Sequence, residues 1–200
     1  MFRSREEAQG DLAEFADVLY LIPERAWERF NDKQRTERAD LRPGSQASVI
    51  HDYMERVARD LLTGRPGVLL SPPSFQAFSI EILGKWCFRL HRLNDDFTIS
   101  YNTTTLALDF VGQVVQLNLP FGEPPLTNLH LGYRTNPTNS GLASVHVVCP
   151  KGEEEVSWQY MLLPPESGTE PTQIPIRPVP GPRPRLRPSA LPERERESGA

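Results

Sequence analysis

Apolar residues recur along this chain with two different periods, and the change of period divides it. From Ser4 the spacing is helical: Ser4-Arg5-Glu6-Glu7 fits a capping box, and Leu12, Phe15, Leu19 and Ile22 follow at helical intervals. Pro23 suits the opening of a second helix carrying Ala26, Trp27 and Phe30, because a first-turn proline gives up no needed amide donor. The stretch NDKQRTERAD after Phe30 has no apolar face and reads as a solvated helix end or a linker, closed by Arg42-Pro43-Gly44. SQASVIHDYMERVARDLLTG predicts the clearest helix. Ser45 or Ser48 can cap it, and Ile50, Tyr53, Met54, Val57 and Leu61 form one stripe. Gly64 stands where a left-handed residue ends a helix.

Beyond it the period falls to two. Phe78, Ile80 and Ile82 alternate with Ala77, Ser79 and Glu81, and Trp86, Phe88 and Leu90 alternate with Lys85, Cys87, Arg89 and His91. A two-residue turn between these strands would mix their faces. A loop of Leu83-Gly84-Lys85, pairing Ile82 with Trp86, keeps the apolar set together. NTTTLALDFVGQ predicts a short helix with a threonine cap, and the prolines of LPFGEPPL end regular structure there. Three more strands carry Leu129, Leu131 and Tyr133, then Ala143, Val145 and Val147, then Val156, Trp158, Tyr160 and Leu162. Turn residues at 135–141 and 150–152 separate them. The expected fold is α+β: about five strands in a mostly antiparallel sheet, a long helix packed on one face, and N-terminal helices.

Composition changes this picture at the C-terminus. Ten of the chain's 20 prolines fall in residues 164–200, so this tail lacks the amide donors a strand needs. It reads as extended, proline-rich and disordered, with a segment around Arg177-Pro178-Val179-Pro180 that resembles a polyproline ligand. The organisation expected is therefore 1–42 helical, 45–163 an α+β domain and 164–200 a tail. Of the 200 residues, this leaves enough chain for one core.

Charge and cysteine usage remove several functions. A net charge of −4 gives no global case for a nucleic-acid binder. Two cysteines, Cys87 and Cys149, make no disulfide framework. The charged N-terminus lacks the apolar run of a secretory signal, and no stretch is apolar enough to span a membrane. A cytoplasmic protein with reduced thiols, not associated with a membrane, is expected.

The segment KWCFRLHRLND at 85–95 concentrates the candidate chemistry. Alternation places Lys85, Cys87, Arg89 and His91 on one strand face, with His130, Arg134 and His146 on later strands. Cys87, His91, His130 and His146 would form a soft tetrahedral metal site if their strands were adjacent in the right register. The short paired spacings that mark zinc sites are missing, so no metal or cofactor is expected. Phosphate-cradling, dinucleotide and nucleophile-elbow motifs are also missing, and Cys87 and His91 lie about 13 Å apart on one extended strand. His51-Asp52 on the clear helix has the form of a metal-phosphohydrolase dipeptide. Without further His and Asp partners it reads as surface pairing, His51 with Glu55 and Asp52 with Arg56.

The order of ASVIHDYMERVARDLL, FRLHRLNDD, TTTLALDF, TNLHLGYRTN and VHVVCPKGEEEVSWQYML resembles a family of small bacterial proteins over about residues 45–163. Its members are encoded beside phage-type helix-turn-helix repressors or the metallopeptidases that cleave them. The strand at 89–95 matches the family's Phe-Lys-Lys-Leu-Asp only loosely, and the N-terminal helices and tail fall outside the match. The resemblance implies a regulatory or toxin–antitoxin-like role and supplies no catalytic residues. The expectation is a non-enzymatic module that binds a protein partner in a defence, toxin–antitoxin or mobile-element locus. Its candidate surface is Lys85, Arg89, His91, His130 and Arg134, flanked by His51 and Asp52. The alternatives are a nuclease-like or hydrolytic toxin using Cys87 and His91, and a DNA-binding autoregulator whose affinity would fall steeply with salt.

Overall fold

The computed structural model describes residues 3–33, 40–72, 77–100, 104–113 and 126–165. The proline tail beyond 165, the segment rich in proline at 119–125 and most of the polar stretch after Phe30 lie outside these residues.

Ser4 caps α1 (Arg5–Asp11), its Oγ accepting the Glu7 amide at 3.1 Å. A 3-10 turn over Ala13–Phe15 then leads into α2 (Ala16–Lys33). The break between the first helices therefore falls before Ala16, and Pro23 lies inside α2 instead of opening a helix. A proline there removes one ladder bond. Burial of Leu19, Ile22, Ala26, Trp27 and Phe30 on one face keeps the helix intact across it.

α3 (Pro43–Leu62) also starts earlier than Ser45: Pro43 occupies the first turn after Arg42, where its missing amide needs no partner. Ser48 donates back to the Gly44 carbonyl at 3.1 Å and does not cap. Ile50, Met54, Val57, Ala58 and Leu62 form its buried stripe.

The sheet has six strands, one more than expected, and is mixed. In order across it run β1 (Val68–Leu70), β2 (Ile80–Ile82), β3 (Trp86–Arg92), β4 (Thr127–Thr135), β5 (Leu142–Pro150) and β6 (Val156–Leu162). β1 is the added strand, too short for a period to be visible in it. The hairpin register is the expected one, Ile82 opposite Trp86, with Leu83 and Gly84 at positive φ in the turn. β3 and β4 pair in parallel, which sets Phe88 beside Leu129 and Leu90 beside Leu131. All other neighbours are antiparallel.

The two sheet faces differ in kind. One carries Ile80, Ile82, Trp86, Phe88, Leu129, Leu131, Val145 and Val147, and packs with α1, α2 and α3 into a single core. The N-terminal helices thus dock on the sheet. The other face carries Cys87, Arg89, His91, His130 and His146, and a second, thinner layer lies on it. That layer consists of α4 (Thr105–Val111) and the loop 93–100. The loop approaches the sheet closely at Gly132: a Cβ there would stand 2.4 Å from Leu93 Cγ. Gly132→Ala is therefore expected to destabilise by about 1–3 kcal/mol through overpacking. Trimming the obstacle in Gly132→Ala/Leu93→Ala should recover part of the overpacking loss relative to the sum of the single changes. Chemical denaturation of the four chains tests this, and strict additivity would sink the overpacking account.

Candidate functional site

Parallel pairing brings the carboxyl ends of β3 and β4 out side by side, and the first three turns of α3 run past them. Between these elements lies an open cleft of about 890 Å³, within the usual size range of ligand pockets. His51, Asp52, His91 and Arg134 line it, together with Ser48, Arg92 and Asp95. Four of the seven candidate positions from the sequence therefore share one surface, although they come from three separate elements.

The rim carries both charges. Arg134 Nη2 meets Asp95 Oδ1 at 2.6 Å, and its guanidinium lies 5.2 Å from the Phe97 ring centroid. Arg92 donates to Asn139 Oδ1 at 2.8 Å and Thr135 Oγ1 at 3.2 Å, a network that fixes the turn after β4. Asp52 is exposed and its carboxylate stands 4.0 Å from His51 Nδ1. The expected His51–Glu55 pair does not form, because Glu55 instead receives Arg59 at 2.8 Å.

His91 forms the inner wall of the cleft. Burial, then the neighbouring His51 and Arg89, push its imidazole down to about 3, so it is neutral at ordinary pH. It meets His130 edge to face, with ring centroids 4.7 Å apart. His130 is buried beneath Phe110 at 5.4 Å, and its imidazole is held well below its usual range by desolvation. Neither His130 nitrogen has a hydrogen-bond partner among the described residues.

The remaining candidates stand elsewhere. Lys85 reaches Asp11 at 2.9 Å at the far end of β3. Arg89 lies over the Phe110 ring at 4.2 Å and donates to the Leu106 carbonyl at 3.3 Å. The strand face that carries Arg89, His91 and His130 is thus largely occupied by the protein's own second layer.

α4 is held in place from both ends. Thr104 Oγ1 caps it by accepting the Ala107 amide. At its other end Gln113 accepts the Asn128 amide at 2.8 Å and donates to the Asn128 carbonyl at 2.7 Å. The side-chain amide replaces a rung of ladder beside Pro150, which has no amide to offer.

This geometry limits the chemistry. The register puts Gly132 between His91 and His146, so β4 separates those two rings. His146 is instead bound by Gln159 at 3.0 Å and Ser144 at 2.9 Å. Among the described residues no group of three or more His, Cys, Asp or Glu side chains is placed to hold a metal ion. Burial pushes the Cys87 thiol up to about 11, which leaves it protonated and unsuited to nucleophilic attack. Cys149 lies on the core face and is buried.

Arg92 and Asp95 were not among the sequence candidates. Arg92 follows Trp86, Phe88 and Leu90 in the apolar alternation, and a guanidinium at that step marks where the core ends. No helix among the described residues is long and apolar enough to cross a membrane. Comparison of the chain with protein families, with curated proteins and with solved structures finds no match.

Proposed function

We propose that this protein is a non-enzymatic interaction module whose cleft between α3 and the ends of β3 and β4 receives a protein partner. The observation that carries the reading is the gathering of His51, Asp52, His91 and Arg134 around one open cleft of mixed charge. Such a rim suits a peptide segment bearing both polar and charged groups better than a uniform polyanion. A neutral His91 offers a donor or an acceptor without the cost of a buried charge. If the resemblance read in residues 45–163 holds, the partner belongs to a regulatory, defence or mobile-element system and the protein acts in the cytoplasm.

The enzymatic and DNA-binding readings draw less support. Cys87 is a protonated thiol outside the cleft, and Lys85, Arg89 and Arg134 are each engaged within the protein. A photo-crosslinking side chain at exposed Ser48, in the native host, should trap a discrete protein adduct. The same probe at Glu14, on the 3-10 turn, should not, and Asp52→Arg/Arg134→Glu should abolish the Ser48 adduct. An adduct that survives the double change refutes the cleft. A purified chain that cleaves nucleic acid or peptide, and stops when His91 becomes alanine, would replace the binding reading with an enzymatic one.

A further inference from the structure

The two edges of the sheet are treated differently by the sequence. β1 is three residues long, follows Gly67 at positive φ, and leads into Ser71-Pro72, with Arg59 donating to the Ser71 carbonyl at 2.9 Å. Shortness, proline and a covering cation are the usual ways of blocking an edge from further pairing. β6 is seven residues long, and its prolines, Pro164-Pro165, follow only after its end. From Val156 to Leu163 it carries no charge and no proline, its register with β5 is regular from Val145 to Cys149, and Met161 and Leu163 are 52% and 68% exposed. No strand lies beyond it among the described residues.

We propose that two copies of this chain join through β6, edge to edge and antiparallel about a two-fold axis, so that one sheet continues across both. The chain's own remainder is a poor occupant: Pro164-Pro165 end the strand, and its longest proline-free stretch, ERERESGA, is mostly charged. A second copy fits because the strand is compatible with itself. In the antiparallel register that sets Gln159 opposite its own copy, Ser157 faces Met161 on one side of the sheet and Trp158 faces Tyr160 on the core side. No like charges meet. The two-fold also keeps core face beside core face, leaving the helices of both copies on the same side.

Sedimentation of the full chain over a concentration series should show a species of twice the chain mass. As it forms, amides of β6 should gain hydrogen-exchange protection. Ser157→Lys/Met161→Lys should weaken association about tenfold or more, since like charges opposed on paired strands repel. Ser157→Glu/Met161→Glu should do the same, and mixing the two variants should restore a dimer. A wild-type chain that stays monomeric, a dimer indifferent to the lysines, or protection gained away from β6 would overturn the proposal. If neither variant folds, the wild-type exchange series decides it, and a foreign strand found on β6 in place of a second copy counts against it.

Discussion

Replacing Trp86 by alanine is expected to cost about 3–5 kcal/mol, the range for deleting a large buried aromatic. Trp86 is fully buried between Ile82 and Thr127 in the sheet. Its indole donates to Asp11 Oδ2 at 3.2 Å, the carboxylate that also receives Lys85, and Arg3 lies 5.8 Å from the ring centroid. The change would therefore open a cavity and loosen the attachment of α1. Single domains hold only about 5–15 kcal/mol in total, so the variant would stand near its unfolding threshold. Urea titration, followed by the emission of Trp27 and Trp158, measures the loss. A midpoint shift worth under about 1 kcal/mol would show that this indole is not the anchor described, because mutations outside such sites fall within that range.

Acid is expected to destabilise the protein before its carboxylates matter. In the unfolded chain an imidazole takes up a proton near pH 6.5, whereas folded His91 resists until about 3 and burial holds His130 well below its usual range. Below pH 6.5 the unfolded state binds more protons, so stability is complete above that pH and declines as pH falls. His91 contributes about 1.4 kcal/mol per pH unit, or about 2 kcal/mol by pH 5, and His130 adds in the same direction. His146, lowered chiefly by burial, adds in the same direction. Asp11, whose carboxyl is lowered first by Lys85, acts only beneath its unfolded value of 3.8, outside this window. His130→Leu should flatten the decline between pH 7 and pH 5. It should cost little at pH 7, because it removes two buried nitrogens that lack partners. Thermal melts of both chains at the two pH values decide it, and an unchanged slope after the substitution would refute the buried neutral pair.

The strand faces and the hairpin register were legible in the sequence because they depend on local alternation. Ile82 against Trp86 follows from keeping greasy residues together, and the structure has that pairing. The parallel join of β3 and β4 depends on a crossover, and its signal was the helix at 105–111 lying between two strands. Alternation also separates inward from outward without saying what will later cover the outward side. Lys85, Arg89 and His130 were therefore readable as one polar face, while Phe110 and the loop at 93–100, which cover much of it, were not. Pro23 is the opposite case. Its local preference was read correctly, and burial of the surrounding helix face overrode it.

A parallel seam gives the cleft a particular freedom to diverge. The loop after β3 and the turn after β4 emerge at the same end of the sheet, the first supplying Asp95 to the rim and the second bracing Arg92 through Asn139. Substitutions in these two connections would change the shape and charge of the rim without touching Phe88, Leu90, Leu129 or Leu131 beneath. Under the binding role proposed above, descendants of this chain could thus change partners quickly while inheriting the same scaffold.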